Sequence, residues 1–356
     1  MYKILIYNFL ILVIFLFIFL EFIFPFIFTT PKLIYSYYDD RPVTFYPNKQ
    51  LYSHTDEFKI RFKTNLFGFN DKEFDKHADI MILGDSFIQS IEVEPTKHFS
   101  TYLENKLNIK ISKLGMSGYG NSHYFANYLK FSEMLDPKLV IIFNFGNDVR
   151  NNFCDQNTGN CSTFSSMCEI KGNEDLNQNI KFLKINNINS YSFNYKKKIS
   201  DDRLSVYIVR NFLDKFQSYY SIRKIYELLL RNKKNSEITI EKDISIDDCK
   251  NVSDNKFIRE YYKTINDAIY NKIVEVDNRK ILFVNINNQT NDEDLNFIKE
   301  TFKLNDYPHV NLDNYFPQNN LTNFKVDGHW NDYGHELIGE ILYKYLSEHF
   351  NNYFAD

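Results

Sequence analysis

The chain has 356 residues, which is enough for one large domain or two small ones with a sizeable core. Its formal net charge of -4 and its pI near 6.1 leave no basic surface of the kind that nucleic-acid-binding proteins use. The run Lys196-Lys197-Lys198 is too short to change this, since a charge run of this size is usually a solvated face. We therefore expect no nucleic-acid partner.

An apolar segment opens the chain. Residues 4–28 are almost all Ile, Leu, Phe and Val, and the exceptions are Tyr7, Asn8, Glu21 and Pro25. A helix of this length can cross a bilayer. A secretory signal peptide would have a shorter apolar core and small residues at a cleavage site, and a buried core helix is disfavoured because the segment is apolar on every face. We therefore predict an uncleaved transmembrane anchor over residues 1–30, inserted through residues 4–28.

The next segment, residues 31–76, is rich in Tyr, Phe, Pro and Asp without clear periodicity, and we expect an extended lead-in there. Regular patterns begin at Asp79. The predicted elements that follow are a strand at 80–83, a helix at 99–107, a strand at 109–114, a helix at 122–134 and a strand at 139–145.

The alternation pauses between about residues 149 and 255, which we interpret as an insertion containing one amphipathic helix near residues 204–216. The four cysteines of the chain, Cys154, Cys161, Cys168 and Cys249, all lie there. An even number of cysteines in an irregular segment is typical of disulfides in an oxidising compartment. A zinc site is disfavoured because the sequence has no Cys-x-x-Cys pair and no His-Glu-x-x-His helix. We therefore predict a single-pass membrane protein whose globular part is extracytoplasmic, in the periplasm or the extracellular space.

Alternation resumes after the insertion. The predicted elements are a helix at 258–274, a strand at 281–286, a helix at 295–302, a short strand near Val310 and a last helix at 331–349. Strands that alternate with helices are typical of a parallel sheet with helices on both faces. The sequence therefore predicts an α/β domain over residues 77–356.

Seven of the eleven glycines lie in four short clusters, each beside a residue able to take part in acyl transfer. The clusters are Gly84-Asp85-Ser86, the segment 115–120, Gly146-Asn147-Asp148 and the segment 327–334. Glycine lets the backbone approach a ligand closely or adopt a positive φ. The pattern predicts four tight loops that converge on the site of a serine hydrolase or acyltransferase.

The predicted roles follow from position. Ligands bind outside the carboxyl ends of the strands in open α/β sheets, and Ser86 and Asn147 directly follow such ends. Ser86 is the candidate nucleophile, and its amide, the Gly118 amide and the Asn147 side chain are candidate oxyanion donors. His329 is the candidate base, and Asp327 can hold its imidazole and stabilise the cation.

The candidate site residues also have purely structural interpretations. Ser86 could cap a helix, Gly118 could form an ordinary turn, and Asn147 with its neighbour could satisfy its own backbone. Asp332 and His335, spaced Asp-x-x-His, form a second candidate pair, although their place at the start of the last helix also suits capping and packing.

Trp330, the only tryptophan, stands next to His329 and could pack the loop or line an acyl or sugar pocket. Packing is the favoured interpretation. The glycine order Gly115-x-x-Gly118-x-Gly120 differs from the Gly-x-Gly-x-x-Gly loop of dinucleotide-binding proteins, so we expect no such cofactor.

These motifs resemble those of the SGNH hydrolase superfamily, also called GDSL-like hydrolases, over residues 65–150 and 255–350. The segments that resemble membrane-anchored bacterial members are Asn65–Asn70, Gly84–Phe87, Ser117–Gly120, Asn147–Asp148 and Asp327–Asn331. The resemblance implies a three-layer α/β sandwich with a parallel sheet, SGNH/flavodoxin-like. It also implies a catalytic triad of Ser86, Asp327 and His329, and an oxyanion hole of Ser86, Gly118 and Asn147.

Two positions depart from the family pattern. Many members space the two residues Asp-x-x-His, which would fall on Val326, whereas Asp327-x-His329 is similar to the pattern of alginate O-acetyltransferases and related polysaccharide-modifying enzymes. Ser90 stands where many relatives carry Gly. Hydrolysis and transfer therefore both stay open.

The function that the resemblance implies is a membrane-anchored serine esterase. It would remove or transfer a small acyl group, with acetyl expected, on a cell-envelope carbohydrate, without a metal or organic cofactor. A lipase or thioesterase of the same fold is one alternative, which the aromatic content of 17% and the membrane tether favour. A catalytically silent glycan-binding or scaffold protein that uses the insertion is another.

Overall fold

The structure is a computed structural model that describes residues 2–24, 33–36, 38, 41–151, 216, 218–222, 225, 255–286, 293–317 and 321–350. The four cysteines and nearly all of the predicted insertion, including most of its amphipathic helix, lie outside the described residues.

The apolar segment forms one helix, α1 (Tyr2–Ile18), which continues as a π-helical turn at Phe19–Ile23. Together these 22 residues make the one helix, within the described ranges, that is long and apolar enough to cross a membrane. Nearly all of its apolar side chains are exposed on the protein. A helix of this kind near the amino terminus suits an anchor or a signal sequence.

The lead-in contains two antiparallel hairpins that the sequence analysis did not predict. Strand β1 (Tyr35–Ser36) pairs with β2 (Thr44–Phe45), and β3 (Gln50–His54) pairs with β4 (Lys59–Lys63). The alternation of buried and exposed residues is weak in the second hairpin, because Phe62 is the only fully buried residue of β4. Such short strands need packing against a core to be stable, and the sequence pattern does not show that packing.

The centre of the domain is a five-stranded parallel sheet. Its strands are β5 (Ile80–Gly84), β6 (Ile111–Gly115), β7 (Leu139–Asn144), β8 (Lys280–Asn285) and β9 (His309–Asn311). They lie in the order β6-β5-β7-β8-β9. Helices cover both faces, so nearly every strand residue is buried and the strands are almost continuously apolar. The strand order reverses between β5 and β7, the place where open α/β sheets bind ligands.

Among the described residues, α-helices flank the sheet and carry the loops at its edge. They are α2 (Ser86–Gln89), α3 (Phe99–Leu107), α4 (Asn121–Leu135), α5 (Asp148–Asn151), α6 (Asn255–Tyr270), α7 (Glu293–Leu304) and α8 (Asp332–His349). Side chains of α4, α6 and α7 pack on one face of the sheet, and side chains of α3 and α8 pack on the other. The predicted α/β fold with three layers is confirmed, and each strand and helix predicted between residues 77 and 151 or after 255 is present.

The two faces of the sheet carry separate apolar cores. On one face, Phe283 of β8 stacks on Phe302 of α7, with ring centroids 4.5 Å apart. On the other, Phe143 of β7 packs on Phe99 of α3 at 5.1 Å. Burial of such side chains supplies roughly 1.5–3 kcal/mol each, and the double-sided core makes the sheet a rigid base for the loops at its carboxyl edge.

Candidate active site

Ser86 lies directly after β5, at the first position of the short helix α2. The cap of that helix is Asp85, whose carboxylate accepts a hydrogen bond from the Phe87 N–H at 3.0 Å. The hydroxyl of Ser86 instead lies 2.8 Å from Nε2 of His329. The interpretation of Ser86 as a helix cap is therefore wrong.

His329 also contacts the third predicted residue. Its Nδ1 lies 2.6 Å from Oδ1 of Asp327, although only Gly328 separates the two residues in the chain. Gly328 makes this possible because it adopts a φ of +87°, in the region that glycine favours. When Nδ1 carries the proton, it donates to Asp327 and leaves Nε2 to accept the Ser86 hydroxyl. Ser86, His329 and Asp327 thus form a continuous hydrogen-bonded line.

The loop that carries His329 is braced internally. The His329 carbonyl accepts the Phe324 N–H at 2.8 Å, and the Gly328 carbonyl accepts the Asn323 side-chain amide at 2.6 Å. Asn331 caps α8 by accepting the Gly334 N–H at 3.0 Å. These bonds hold the imidazole between the end of the sheet and the last helix.

The predicted oxyanion donors lie at the same edge of the sheet as Ser86. Strand β5 is hydrogen-bonded to both β6 and β7. Gly118 follows β6 in a turn with a φ of +76°, and Asn147 follows β7 directly before α5. Asn147 is exposed and Gly118 is half-buried. The structure brings both positions to the edge that carries the candidate nucleophile, and their role as donors stays a prediction.

Hydrogen bonds behind these two loops tie them together. The Asn151 side chain donates to the Tyr119 carbonyl at 3.1 Å, which joins α5 to the loop after β6. The Asp148 carboxylate accepts the Phe145 N–H at 2.9 Å and the Tyr124 hydroxyl at 3.0 Å. The neighbourhood of Asn147 is therefore set by buried polar contacts of its neighbours.

The second candidate pair, Asp332 and His335, is not assembled. Asp332 forms an ion pair with Lys97 at the surface. His335 is buried, with its ring centroid 4.7 Å from that of His98. Burial, together with the charge of Lys113, lowers the pKa of His335 to about 3, which makes it a poor base. The predicted packing of His335 is confirmed, whereas the predicted capping by Asp332 is wrong, because Asn331 caps α8.

Trp330 packs as expected. It is 1% exposed, and its ring centroid lies 4.7 Å from that of Phe87 in α2. The Phe87 ring in turn lies 4.8 Å from the imidazole of His329. These rings fix the distance between α2, which begins with Ser86, and the loop that carries His329.

Glu92 is a neighbour of the base that the sequence analysis missed. Its Oε1 lies 3.7 Å from Nδ1 of His329, and its side chain is 6% exposed. The sequence signal was limited to its two apolar neighbours, Ile91 and Val93, since a Glu that is buried between such residues needs a partner.

The electrostatics of the site favour a charged imidazole. Burial lowers the pKa of His329, but the hydrogen bond to Asp327 and the negative charges of Glu92 and Asp327 outweigh it and raise the pKa to about 9. Burial raises the pKa of Glu92 to about 7, although the positive charge of His329 opposes this. Burial also acts to raise the pKa of Asp327, but the hydrogen bond from His329 outweighs it and holds the pKa below its ordinary value.

Glu92, Asp327 and His329 also offer one ligand atom each within 4.8 Å of one another. Both ring nitrogens of His329 are already engaged, by Asp327 and by Ser86. A metal ion bound to these three side chains would therefore compete with the hydrogen-bonded line and would not support it.

No protein-family model matches the chain, and no curated protein matches it. Solved structures do. One is a carbohydrate esterase whose active site displays divergent catalytic and non-catalytic binding functions. It aligns at 9% identity over 91% of this chain and 98% of its own, with a TM-score of 0.41.

A family 3 carbohydrate esterase from Clostridium thermocellum aligns at 13% identity over 77% of this chain and 96% of its own, with a TM-score of 0.37. A lipase/acylhydrolase from Enterococcus faecalis aligns at 10% identity over 76% and 95%, with a TM-score of 0.35. These likenesses are distant.

Proposed function

We propose that the chain is a serine esterase of the SGNH (GDSL-like) type. It removes or transfers a small acyl group, expected to be acetyl, on a cell-envelope carbohydrate. The observation that carries the proposal is the line from Ser86 Oγ through both nitrogens of His329 to Asp327, with contacts of 2.8 and 2.6 Å. A hydroxyl, an imidazole and a carboxylate in this arrangement have the geometry of an activated nucleophile.

The proposed reaction has two halves. Ser86 attacks the ester carbonyl while His329 takes its proton, and Asp327 stabilises the imidazolium. The Ser86 and Gly118 amides and the Asn147 side chain hold the oxyanion. His329 then protonates the leaving alcohol, which departs as the acyl-enzyme forms. Water attacks the acyl-enzyme in hydrolysis, or a sugar hydroxyl attacks it in transfer, with His329 again as base.

The site charge supports a base of this kind. A high pKa at His329 means that its cation, which forms in each transition state, is strongly stabilised by the surrounding carboxylates. Because only neutral His329 can accept a proton, activity should increase with pH up to about the pKa of His329. We therefore expect the activity to have an alkaline pH optimum.

The expected carbohydrate substrate follows from the resemblance of the motifs to those of polysaccharide-modifying enzymes. The Asp-x-His spacing is similar to that of polysaccharide O-acetyltransferases. The apolar helix α1 supports placement at a membrane, and the cysteine-containing insertion at about 149–255 supports an extracytoplasmic location. In the proposed organisation, an anchor at 1–30 and a lead-in at 31–76 precede the catalytic domain at 77–356.

The test is hydrolysis of p-nitrophenyl acetate by the full chain in detergent micelles. Ser86→Ala should abolish release of p-nitrophenol, whereas Ser347→Ala, on the last helix, should leave it unchanged. Release that does not depend on Ser86 would contradict the esterase proposal, and folded protein without activity on any ester would favour the silent binding protein.

Acyl chain length separates the two enzymatic candidates. A small-acyl esterase should prefer p-nitrophenyl acetate over the octanoate and palmitate esters, and a lipase should show the opposite order. With an acetylated oligosaccharide as donor, mass spectrometry of an added unacetylated oligosaccharide distinguishes transfer from hydrolysis to free acetate.

A further inference from the structure

The tip of the β3–β4 hairpin contacts the loop that carries Asp327. The carboxylate of Glu57 accepts hydrogen bonds from three consecutive N–H groups: Lys325 to Oε1 at 2.7 Å, Val326 to both oxygens at 3.0 Å, and Asp327 to Oε2 at 2.8 Å. Hydrogen bonds to an ionised acceptor are shorter and stronger than those between neutral groups. One side chain thus holds the backbone of the whole segment 325–327.

The hairpin tip holds Glu57 in place. The Thr55 hydroxyl accepts the Glu57 N–H at 3.1 Å, and the Thr55 N–H donates to the Phe58 carbonyl at 2.9 Å, which closes the turn. The ring of Phe58, itself 8% exposed, lies 5.1 Å from the ring of Phe324. The apolar contact of Phe58 and the charged contact of Glu57 therefore hold neighbouring residues of the same loop.

The segment that Glu57 holds is exposed. Val326 is 86% exposed, and Lys325 and Asp327 are exposed as well. On its other side the loop is closed by the Gly328 N–H, which donates to the Phe324 carbonyl at 3.1 Å. An exposed loop without a partner for three successive N–H groups would exchange among conformations, because water can satisfy those groups in any of them.

We propose that Glu57 is a positioning residue for Asp327, so that the hairpin of the lead-in is part of the catalytic machinery. The inference rests on the esterase function proposed above. Asp327 is bonded at both ends: its N–H donates to Glu57, and its carboxylate accepts from His329. Glu57 contacts neither Ser86 nor His329 in these bonds. It acts by fixing where the Asp327 carboxylate sits, and hence which way the imidazole faces.

Removal of the carboxylate should lower turnover without weakening substrate binding. For Glu57→Ala we expect a fall in kcat of roughly 10- to 100-fold, since a misplacement near 1 Å can cost about 100-fold. KM for p-nitrophenyl acetate should stay within about twofold, because the residue acts through the base and does not add to uniform binding. Glu57→Gln, which keeps one carbonyl oxygen to accept part of the bonds, should recover an intermediate kcat.

The matched control is Glu73→Ala. Glu73 is an exposed carboxylate in the same part of the chain, and it accepts one backbone N–H, that of Leu66, at 2.9 Å. Loss of that bond should leave kcat unchanged. Both variants are compared with the wild type by thermal unfolding, so that a general loss of folded protein is measured separately from kcat.

A double-mutant cycle gives the decisive readout. If Glu57 acts through Asp327, then Glu57→Ala should have no further effect on kcat in an Asp327→Ala background. An equal loss in both backgrounds, or a kcat for Glu57→Ala equal to that of the wild type, would overturn the inference. Ser86→Ala is measured in the same series: residual activity there contradicts the proposed function itself, whereas its complete loss together with a normal Glu57→Ala enzyme contradicts only the role of Glu57.

Discussion

Replacement of Glu92 by glutamine should move the pH dependence of the enzyme to lower pH. Glutamine keeps the size of the side chain and removes its charge, and Oε1 of Glu92 is 3.7 Å from Nδ1 of His329. The carboxylate, with a pKa of about 7, is ionised where His329 titrates, near 9. The variant imidazolium therefore loses a stabilising neighbour, and the pKa of His329 falls.

The size of the fall in the pKa of His329 follows from the distance between the two charges. Two unit charges 3.7 Å apart attract by about 1.1 kcal/mol at the dielectric constant of water and by about 4.5 kcal/mol at an effective value of 20. His329 is 24% exposed and Glu92 is 6% exposed, so the environment lies between these limits. We expect the acid limb of the profile to move down by about 1 pH unit or more, since 1.36 kcal/mol corresponds to one unit.

Glu92→Gln should change kcat/KM differently at pH 7 and at the alkaline plateau. Neutral His329 is the active base, so a lower pKa raises the fraction of active enzyme at pH 7, and kcat/KM at pH 7 should rise relative to its value at the alkaline plateau. The plateau itself should fall, because the imidazolium formed during attack is less stabilised. The assay is kcat/KM for p-nitrophenyl acetate from pH 5 to 10, corrected for spontaneous hydrolysis and fitted to two macroscopic values for the coupled pair.

Glu94→Gln is the control for this experiment. It removes the same charge from an exposed carboxylate two residues along the chain, and its profile should match that of the wild type. An acid limb for Glu92→Gln that stays in place, or moves to higher pH, would show that the Glu92 charge does not act on His329.

Two further substitutions test the loops at the edge of the sheet. Asn147→Ala should lower kcat by roughly 100- to 1,000-fold, because it removes one oxyanion donor, and near-normal steady-state kinetics would contradict that role. Gly115→Ala places a Cβ 2.5 Å from the backbone nitrogen of Gln89 in α2, the helix that begins with Ser86. Such overpacking should cost about 1–3 kcal/mol in urea unfolding and lower kcat by displacing the nucleophile, and an unchanged unfolding midpoint would show that the helix can move away at no cost.

Much of the sheet domain was predictable because burial leaves a local signature. Strands such as β5 and β7 are covered on both faces, so they appear as unbroken apolar runs, and the helices that cover them keep a helical period of apolar residues. Ser86 was identifiable once the strands were located, because it directly follows a strand and the carboxyl ends of parallel strands share one edge. Its bond to His329 was a prediction from motif and position that the geometry now supports.

The hairpins of the lead-in, the strand order and the contacts of Glu57 and Glu92 were not predictable in this way. Glu57 and Asp327 are 270 residues apart in the chain, and no periodicity in either segment indicates that they meet. Glu92 follows α2 in the chain and lies 3.7 Å from Nδ1 of His329, where α2 and the loop that carries His329 pack together through Phe87 and Trp330. Local patterns reflect which side of an element is buried, whereas the identity of its neighbours depends on how all the elements pack at once.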